Sequence, residues 1–230
     1  AIGVAKLFGI NLKQNFAYPY FSRDIAEFWR RWHISLSTWF RDYLYIPLGG
    51  SRGNIYIKIR NIFAIFLISG FWHGANWTFI AWGTINAIYF LPLFLAKKNR
   101  KHLDIVAANS MIPSLKELIN MLTTFILTVI AWIFFRSNNL THALNFINGI
   151  ISHSFISEPQ FDNNIEALMV VILICFFIII EWCGRKNKFA IENLFNNLPR
   201  FLRWIFYYII LIILLLCNPG SGDTFIYFQF

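Results

Sequence analysis

Long apolar stretches are the feature that most constrains how this chain can fold. A helix needs about 20 apolar residues to cross a bilayer. Four stretches approach that length, near Ala75–Ala96, Leu118–Phe135, Ile165–Trp182 and Phe201–Cys217. A shorter run, Asn61–Trp72, covers only about 18 Å as a helix and nearly crosses only if it extends back to Ile55. Because lipid offers no partners for backbone polar groups, the pattern predicts an all-α, polytopic transmembrane helix bundle.

Composition supports a membrane protein and argues against a nucleic-acid-binding one. The chain is 57% hydrophobic and 13% charged, which is too apolar for a soluble domain of this length. The net charge of +9 comes from short basic clusters between apolar stretches, as in cytoplasmic loops of membrane proteins. We therefore expect lipid, and no nucleic acid, as a partner. The three cysteines, Cys175, Cys183 and Cys217, lack metal-ligand spacing and are interpreted as buried apolar residues, so no metal site is predicted.

The basic residues also predict an orientation in the membrane. Lys97, Lys98, Arg100 and Lys101 follow one span, and a second basic cluster begins at Arg185. The loop 137–164 between these clusters contains no lysine or arginine. Positive charge favours the cytoplasmic side, so the two basic loops and the segment from Gly49 to Arg60 are predicted to be cytoplasmic and the C-terminus extracytoplasmic.

The segment Asp24–Ile46 is amphipathic. At 100° per residue its aromatic side chains form one stripe and its charged side chains lie opposite, which predicts one continuous helix lying in the interface or lining a polar cavity. Ile34 lies on the polar face, which indicates that protein covers that face. His33 falls at the border between the faces and is compatible with either snorkelling to water or lining a cavity.

His73 is the second candidate, in the run Phe71-Trp72-His73-Gly74-Ala75-Asn76-Trp77. An ionisable side chain at membrane depth is costly to desolvate and marks a functional site by default. Gly74 is expected to break the helix there. The ordinary alternative is a histidine hydrogen-bonded between packed helices. The glycine-rich segment 49–53 matches no phosphate-binding fingerprint and is expected to be a flexible turn.

Two motifs stand out in the sequence. The first is Phe28-Trp29-Arg30-Arg31-Trp32-His33-Ile34-Ser35-Leu36-Ser37, continuing through Ile46-Pro47-Leu48-Gly49-Gly50, and the second is Gly70-Phe71-Trp72-His73-Gly74-Ala75. Both resemble the membrane-bound O-acyltransferase family. More narrowly they resemble its bacterial alginate O-acetyltransferase branch, as does the end of the chain. Members of the branch are about twice as long. Residues 1–230 are therefore expected to be one membrane-embedded domain, the C-terminal portion of a longer protein.

The resemblance implies a helix bundle with a tunnel meeting near His73, which corresponds to the family's near-invariant histidine, with His33 as the second. It implies an acetyltransferase of the bacterial inner membrane that draws on cytoplasmic acetyl-CoA for O-acetylation of an extracytoplasmic polysaccharide such as alginate, helped by an extracytoplasmic acetyltransferase. His73 would be the general base. His33 would orient the thioester or stabilise an oxyanion.

Four arginines, Arg30, Arg31, Arg41 and Arg52, could bind phosphates of the donor. Glu27 and Asp42 could instead occupy some of them as ion pairs. Three other functions stay open at this point. They are D-alanyl transfer to teichoic acid within the same family, a transporter subunit whose histidines relay protons, and a non-catalytic subunit that anchors extracytoplasmic partners.

Overall fold

The computed structural model describes residues 2–152, 164–193, 196 and 198–216. Within this part of the chain every regular element is helical, which confirms the predicted all-α class. The nine α-helices are α1 Ile2–Leu7, α2 Ile25–Arg31, α3 Ile34–Phe40, α4 Ile55–His73, α5 Trp77–Leu95, α6 Leu115–Arg136, α7 Leu140–Ile151, α8 Asn164–Gly184 and α9 Arg200–Leu216. A 3₁₀ turn at Pro19–Phe21 precedes α2, and a π-helical segment, Arg41–Tyr45, follows α3.

The chain divides into two compact units, Ala1–Gln160 and Phe161–Phe230. The first contains α1 to α7 and all the candidate site residues. The second contains α8 and α9. On α8, Cys175 and Cys183 are exposed, so the expectation that they are buried is wrong, while Cys217 lies outside the described residues. Both cysteines are apolar enough to face lipid.

Four of the described helices are long and apolar enough to cross a membrane: α4, α5, α6 and α8. Three of them match predicted spans. The fourth, α4, begins at Ile55 and contains 19 residues, so the short apolar run is the second part of a full-length helix. The remaining predicted span corresponds to α9, which has 17 described residues.

Helices α4 and α5 form a hairpin whose close packing depends on glycine. A Cβ on Gly70 would overlap the carbonyl oxygen of Phe79, and one on Gly83 would overlap that of Phe66. The two backbones therefore touch at two levels, as small residues allow in membrane helices. Gly74, between the helices, has φ 153° and ψ 161°, a conformation open essentially only to glycine. The predicted helix break at Gly74 is confirmed.

Two predicted features are wrong. The segment Asp24–Ile46 is not one helix, because Trp32 is extended and His33 is left-handed with φ 45°, which separates α2 from α3. A helical wheel drawn continuously through His33 therefore does not describe which side chains share a face. The interpretation of 137–164 as a loop missed α7, which begins after Asn139, whose side chain accepts a hydrogen bond from the backbone N–H of His142. Residues 153–163 of that loop lie outside the described part of the chain.

Candidate active site

His73 is the last residue of α4 and lies among aromatic rings. Its imidazole centroid is 4.9 Å from those of Trp72 and Phe135, 5.5 Å from Trp82 and 6.3 Å from Phe79. These residues come from α4, α5 and α6, so three helices build the pocket around the ring. Within the described residues the imidazole has ring contacts but no hydrogen bond or ion pair. Its nitrogens are therefore available to a substrate.

His33 occupies the break between α2 and α3, which residues 15–17 hold in place. The backbone N–H of Ile34 donates to Asn15 O at 2.9 Å, the N–H of Ser35 donates to Asn15 Oδ1 at 3.0 Å, and that of Ala17 donates to Arg31 O at 3.0 Å. These bonds satisfy backbone groups that a helix break frees. The left-handed residue is thus fixed by its surroundings.

His33 and His73 lie within electrostatic range of each other, and no ring contact joins them within the described residues. Burial lowers the pKa of His33 below its usual value, which favours the neutral ring near pH 7. Its Nδ1 is buried without a hydrogen-bond partner among the described residues, as are Trp29 Nε1 and Thr78 Oγ1. The structure thus brings the two predicted histidines together, although 40 positions separate them in the sequence.

A cavity of about 370 Å³ lies beside this cluster. Its wall is mainly apolar and comes from α2, α3, α4 and α5, with polar side chains from α2, α3, α4, the π-helical segment and two loops. The lining residues that matter below are Trp29, Arg30, Arg41, Ser69, Asn99 and Arg100. Ser69 lies one helical turn, about 6 Å, before His73 on α4. The ring of Trp29 packs 5.8 Å from Trp82, which in turn contacts His73. Neither His33 nor His73 lines the cavity, and Ser69 and Trp29 connect its lining to the surroundings of His73.

The four predicted arginines separate into two pairs. Arg30 and Arg41 line the cavity. Arg30 donates to the carbonyls of Asn99 and His102 at 2.6 and 2.7 Å, and Arg41 pairs with Asp42 at 2.7 Å. Arg31 and Arg52 do not line it.

Arg31 instead pairs with Glu27 at 2.8 Å and donates to the carbonyls of Ala17 and Asp104. Within the described residues no three His, Cys, Asp or Glu side chains come together as metal ligands.

Sequence reasoning missed Arg100, Asn99 and a buried ionic network around Arg23. The side chains of Arg23 and Glu27 are 3% and 1% exposed and lie 3.1 Å apart, and Arg23 also contacts Asp104 at 2.9 Å. The spacing of Arg23, Glu27 and Arg31 by four residues indicates helix pairs. Asp104 lies 81 residues from Arg23 and carries no such signal. The burial of Glu27 fits the expectation that protein covers the polar face of this segment.

Comparison with known proteins identifies the family. Residues 1–105, which contain both histidines and the whole cavity lining, match the model of the membrane-bound O-acyltransferase family. The chain is 38% identical over 188 residues to the probable alginate O-acetylase AlgI of Pseudomonas aeruginosa, covering 81% of this chain and 34% of that protein. It is 33% identical over 247 residues to the peptidoglycan O-acetyltransferase of Helicobacter pylori, covering 100% of this chain and 45% of that protein.

The chain belongs to the membrane-bound O-acyltransferase family. A teichoic acid D-alanyltransferase of Streptococcus thermophilus is 41% identical over 95 residues, which cover 38% of this chain and 23% of that protein. The chain spans less than half the length of these relatives, 34% and 45% of the two O-acetylating ones. The resemblance stated from the motifs is thus confirmed for the family and for its alginate O-acetylase branch.

Proposed function

We propose that the full-length protein is an O-acyltransferase of the bacterial inner membrane. It takes an acetyl group from cytoplasmic acetyl-CoA for O-acetylation of an extracytoplasmic polysaccharide such as alginate. The observation that carries the proposal is the cavity whose lining includes arginines and extends along α4 to Ser69, one helical turn before His73. That shape suits a donor with a phosphate-rich head and a long, thin thioester arm.

His73 acts as the general base in this proposal. One imidazole nitrogen accepts the proton of the acceptor hydroxyl while the oxygen attacks the thioester carbonyl carbon. The resulting tetrahedral intermediate collapses as the C–S bond breaks, and the protonated imidazole returns the proton to the leaving thiolate. The products are an O-acetyl ester and free coenzyme A, so atoms and charge balance. The aromatic walls exclude water that would otherwise hydrolyse the thioester.

His33 and Trp82 contribute by position. His33 is near enough to His73 to orient the thioester or to stabilise the developing oxyanion. The ring of Trp82 contacts both His73 and the cavity-lining Trp29. It therefore limits the orientations that the imidazole of His73 can adopt. In the same scheme, Arg30 and Arg41 face donor phosphates, whereas the contacts of Arg31 assign it to holding α2.

Acetyl transfer is favoured over D-alanyl transfer by the extent of the matches. The relatives named for O-acetylation align with 81% and 100% of this chain, and two D-alanyltransferases align with 38% and 44%. We further propose an extracytoplasmic acetyltransferase as a partner that passes the acetyl group to the polymer.

The donor and its side of entry can be tested in membrane vesicles containing the full-length protein. Radiolabelled acetyl-CoA is added to inverted vesicles, which expose the cytoplasmic face, and to right-side-out vesicles. We expect labelled acetyl ester inside inverted vesicles only. Labelling from the right-side-out face, or transfer of D-alanine in place of acetate, would contradict the proposal.

A further inference from the structure

The segment 99–104, between α5 and α6, is held by three arginines that precede or belong to α2. We propose that these arginines form a positioning clamp that presents Arg100 to the phosphate groups of a nucleotide thioester in the cavity. The inference deepens the proposed function and rests on it. The clamp is defined as Arg23, Arg30 and Arg31 together with the carboxylates of Glu27 and Asp104.

The first part of the clamp flanks Arg100 directly. Arg30 donates from Nη1 to the carbonyl of Asn99 at 2.6 Å and from Nη2 to the carbonyl of His102 at 2.7 Å. One guanidinium therefore fixes the backbone on both sides of Arg100. Because a planar guanidinium fixes both donors in one fork, the geometry restrains the turn more than two separate side chains would.

The second part anchors the end of the segment. Arg23 Nη2 donates to Asp104 Oδ1 and to Asp104 O, both at 2.9 Å, and Arg31 Nη2 donates to Asp104 O at 3.1 Å. Glu27 accepts from both Arg23 and Arg31, which compensates the buried charge on that side. Hydrogen bonds and opposite charges outweigh burial and raise the pKa of Arg23, so it stays charged. Each charged side chain of this anchor therefore has an oppositely charged or hydrogen-bonding partner.

The cavity differs from the anchor, because two of its three arginines have no carboxylate in direct contact within the described residues. Arg41 has Asp42 as partner, but Arg30 bonds to neutral carbonyls, and Arg100 has no ion pair among the described residues. The carboxylates of Asp24 and Glu27 attract Arg30, and the positive charges of Arg31 and Arg100 repel it. An anion between Arg30 and Arg100 relieves the repulsion between these two side chains. Phosphate is the anion that guanidinium groups bind best, often through two parallel hydrogen bonds.

Hydroxyl groups complete the ligand environment. Ser37, Tyr45 and Ser51 line the same cavity, and Tyr45 Oη lies 2.9 Å from Ser51 Oγ. Ser51 belongs to the glycine-rich segment 49–53, which the buried amide of Asn61 holds by donating to Leu48 O and Gly50 O, each at 3.1 Å. Two loops, each fixed by hydrogen bonds from a neighbouring helix, thus contribute polar side chains to the lining of the cavity.

The test compares a donor that carries phosphates with one that lacks them. Acetyl-CoA and acetyl-pantetheine are supplied to inverted vesicles containing full-length wild-type protein, R100Q or D104N. For R100Q we expect KM for acetyl-CoA to rise about tenfold or more, with kcat changed less than twofold and KM for acetyl-pantetheine unchanged. D104N should raise KM for acetyl-CoA in the same direction. The matched control is K98Q, which changes an exposed base outside the cavity lining and should behave as wild type.

The outcomes separate the two proposals. If wild type turns over acetyl-CoA and R100Q has a wild-type KM, or if R100Q raises KM equally for both donors, the phosphate contact is wrong while the acetyltransferase stands. If D104N loses kcat for both donors and leaves KM alone, Asp104 is structural and the clamp is wrong. If wild type turns over neither donor, the proposed function fails and this inference fails with it.

Discussion

At the scale of single residues, His33 is one of four non-glycine residues with a left-handed backbone in the described part of the chain. A non-glycine residue with φ 45° costs free energy that its surroundings must supply. Hydrogen bonds with Asn15 and Ala17 on both sides of the break offset this free-energy cost. The consequence is a histidine placed at an angle that no continuous helix could provide, beside the end of α4.

The partial burial of His33 makes stability depend on pH. Burial holds its folded-state pKa below the unfolded value of about 6.5, so the unfolded chain binds more protons in acid. Its stability contribution is present above pH ~6.5 and is lost as pH falls through the folded pKa. We expect the Tm of the detergent-solubilised full-length protein to fall between pH 7.5 and 5, and to fall less in H33Q. An equal fall in both proteins would show that His33 is not the group responsible.

The residues of the site were predictable to different degrees. His33 and His73 follow from their aromatic surroundings and the family motif, and Arg30 and Arg41 from the same run. Arg100 was not predictable as a site residue, because in the sequence it is one of four basic residues in a loop. Only the fold shows that Arg100 lines the cavity and that Lys97, Lys98 and Lys101 do not.

At the scale of elements, the α4–α5 hairpin sets the position of His73. We expect G83A to destabilise the protein by about 1–3 kcal/mol, because a methyl group there overlaps the Phe66 carbonyl and forces the helices apart. The matched control is G149A on α7, where an added Cβ meets nothing within 4 Å. Thermal unfolding of full-length variants in one detergent measures both. Equal stability of G83A and G149A would contradict the close packing.

Apolar length predicted the spanning helices but not the breaks between shorter ones. Spans are specified locally, because about 20 apolar residues leave few alternatives. The break at His33 and the helix α7 depend on capping side chains. One of these, Asn15, acts across 20 residues of sequence through its bond to Ser35 and is visible only in the fold. The α2–α3 segment therefore looked like one amphipathic helix.

At the scale of the whole molecule, the orientation in the membrane decides which side the donor enters. We expect a cysteine at Lys98 to be protected and one at Thr141 to react when spheroplasts are treated with an impermeant maleimide, because only Lys98 lies in a basic loop. Cys175, Cys183 and Cys217 are first replaced by serine. Lysed spheroplasts should label at both positions, which controls for accessibility. Labelling at Lys98 but not at Thr141 would invert the topology and place the arginine-lined cavity on the outside.

The relatives' greater length leads to another expectation. Helices that carry an intramembrane histidine need neighbours to cover polar groups. We expect residues 1–230 expressed alone to transfer no acetyl group from acetyl-CoA, and co-expression of the remaining sequence of the full-length protein to restore transfer at least in part. Purified 230-residue protein with activity comparable to the full-length protein would contradict this.

Replacement of His73 tests the central claim most directly. H73A in the full-length protein removes the imidazole at the end of α4, whereas H142A removes an exposed histidine on α7 and serves as the control. Both variants are measured for acetyl ester on the polysaccharide and for the amount of protein in the membrane. The account predicts a loss of at least about 10²-fold for H73A, the usual contribution of a general base, and none for H142A. Acetylation by H73A close to that of wild type, at equal membrane abundance, would contradict it.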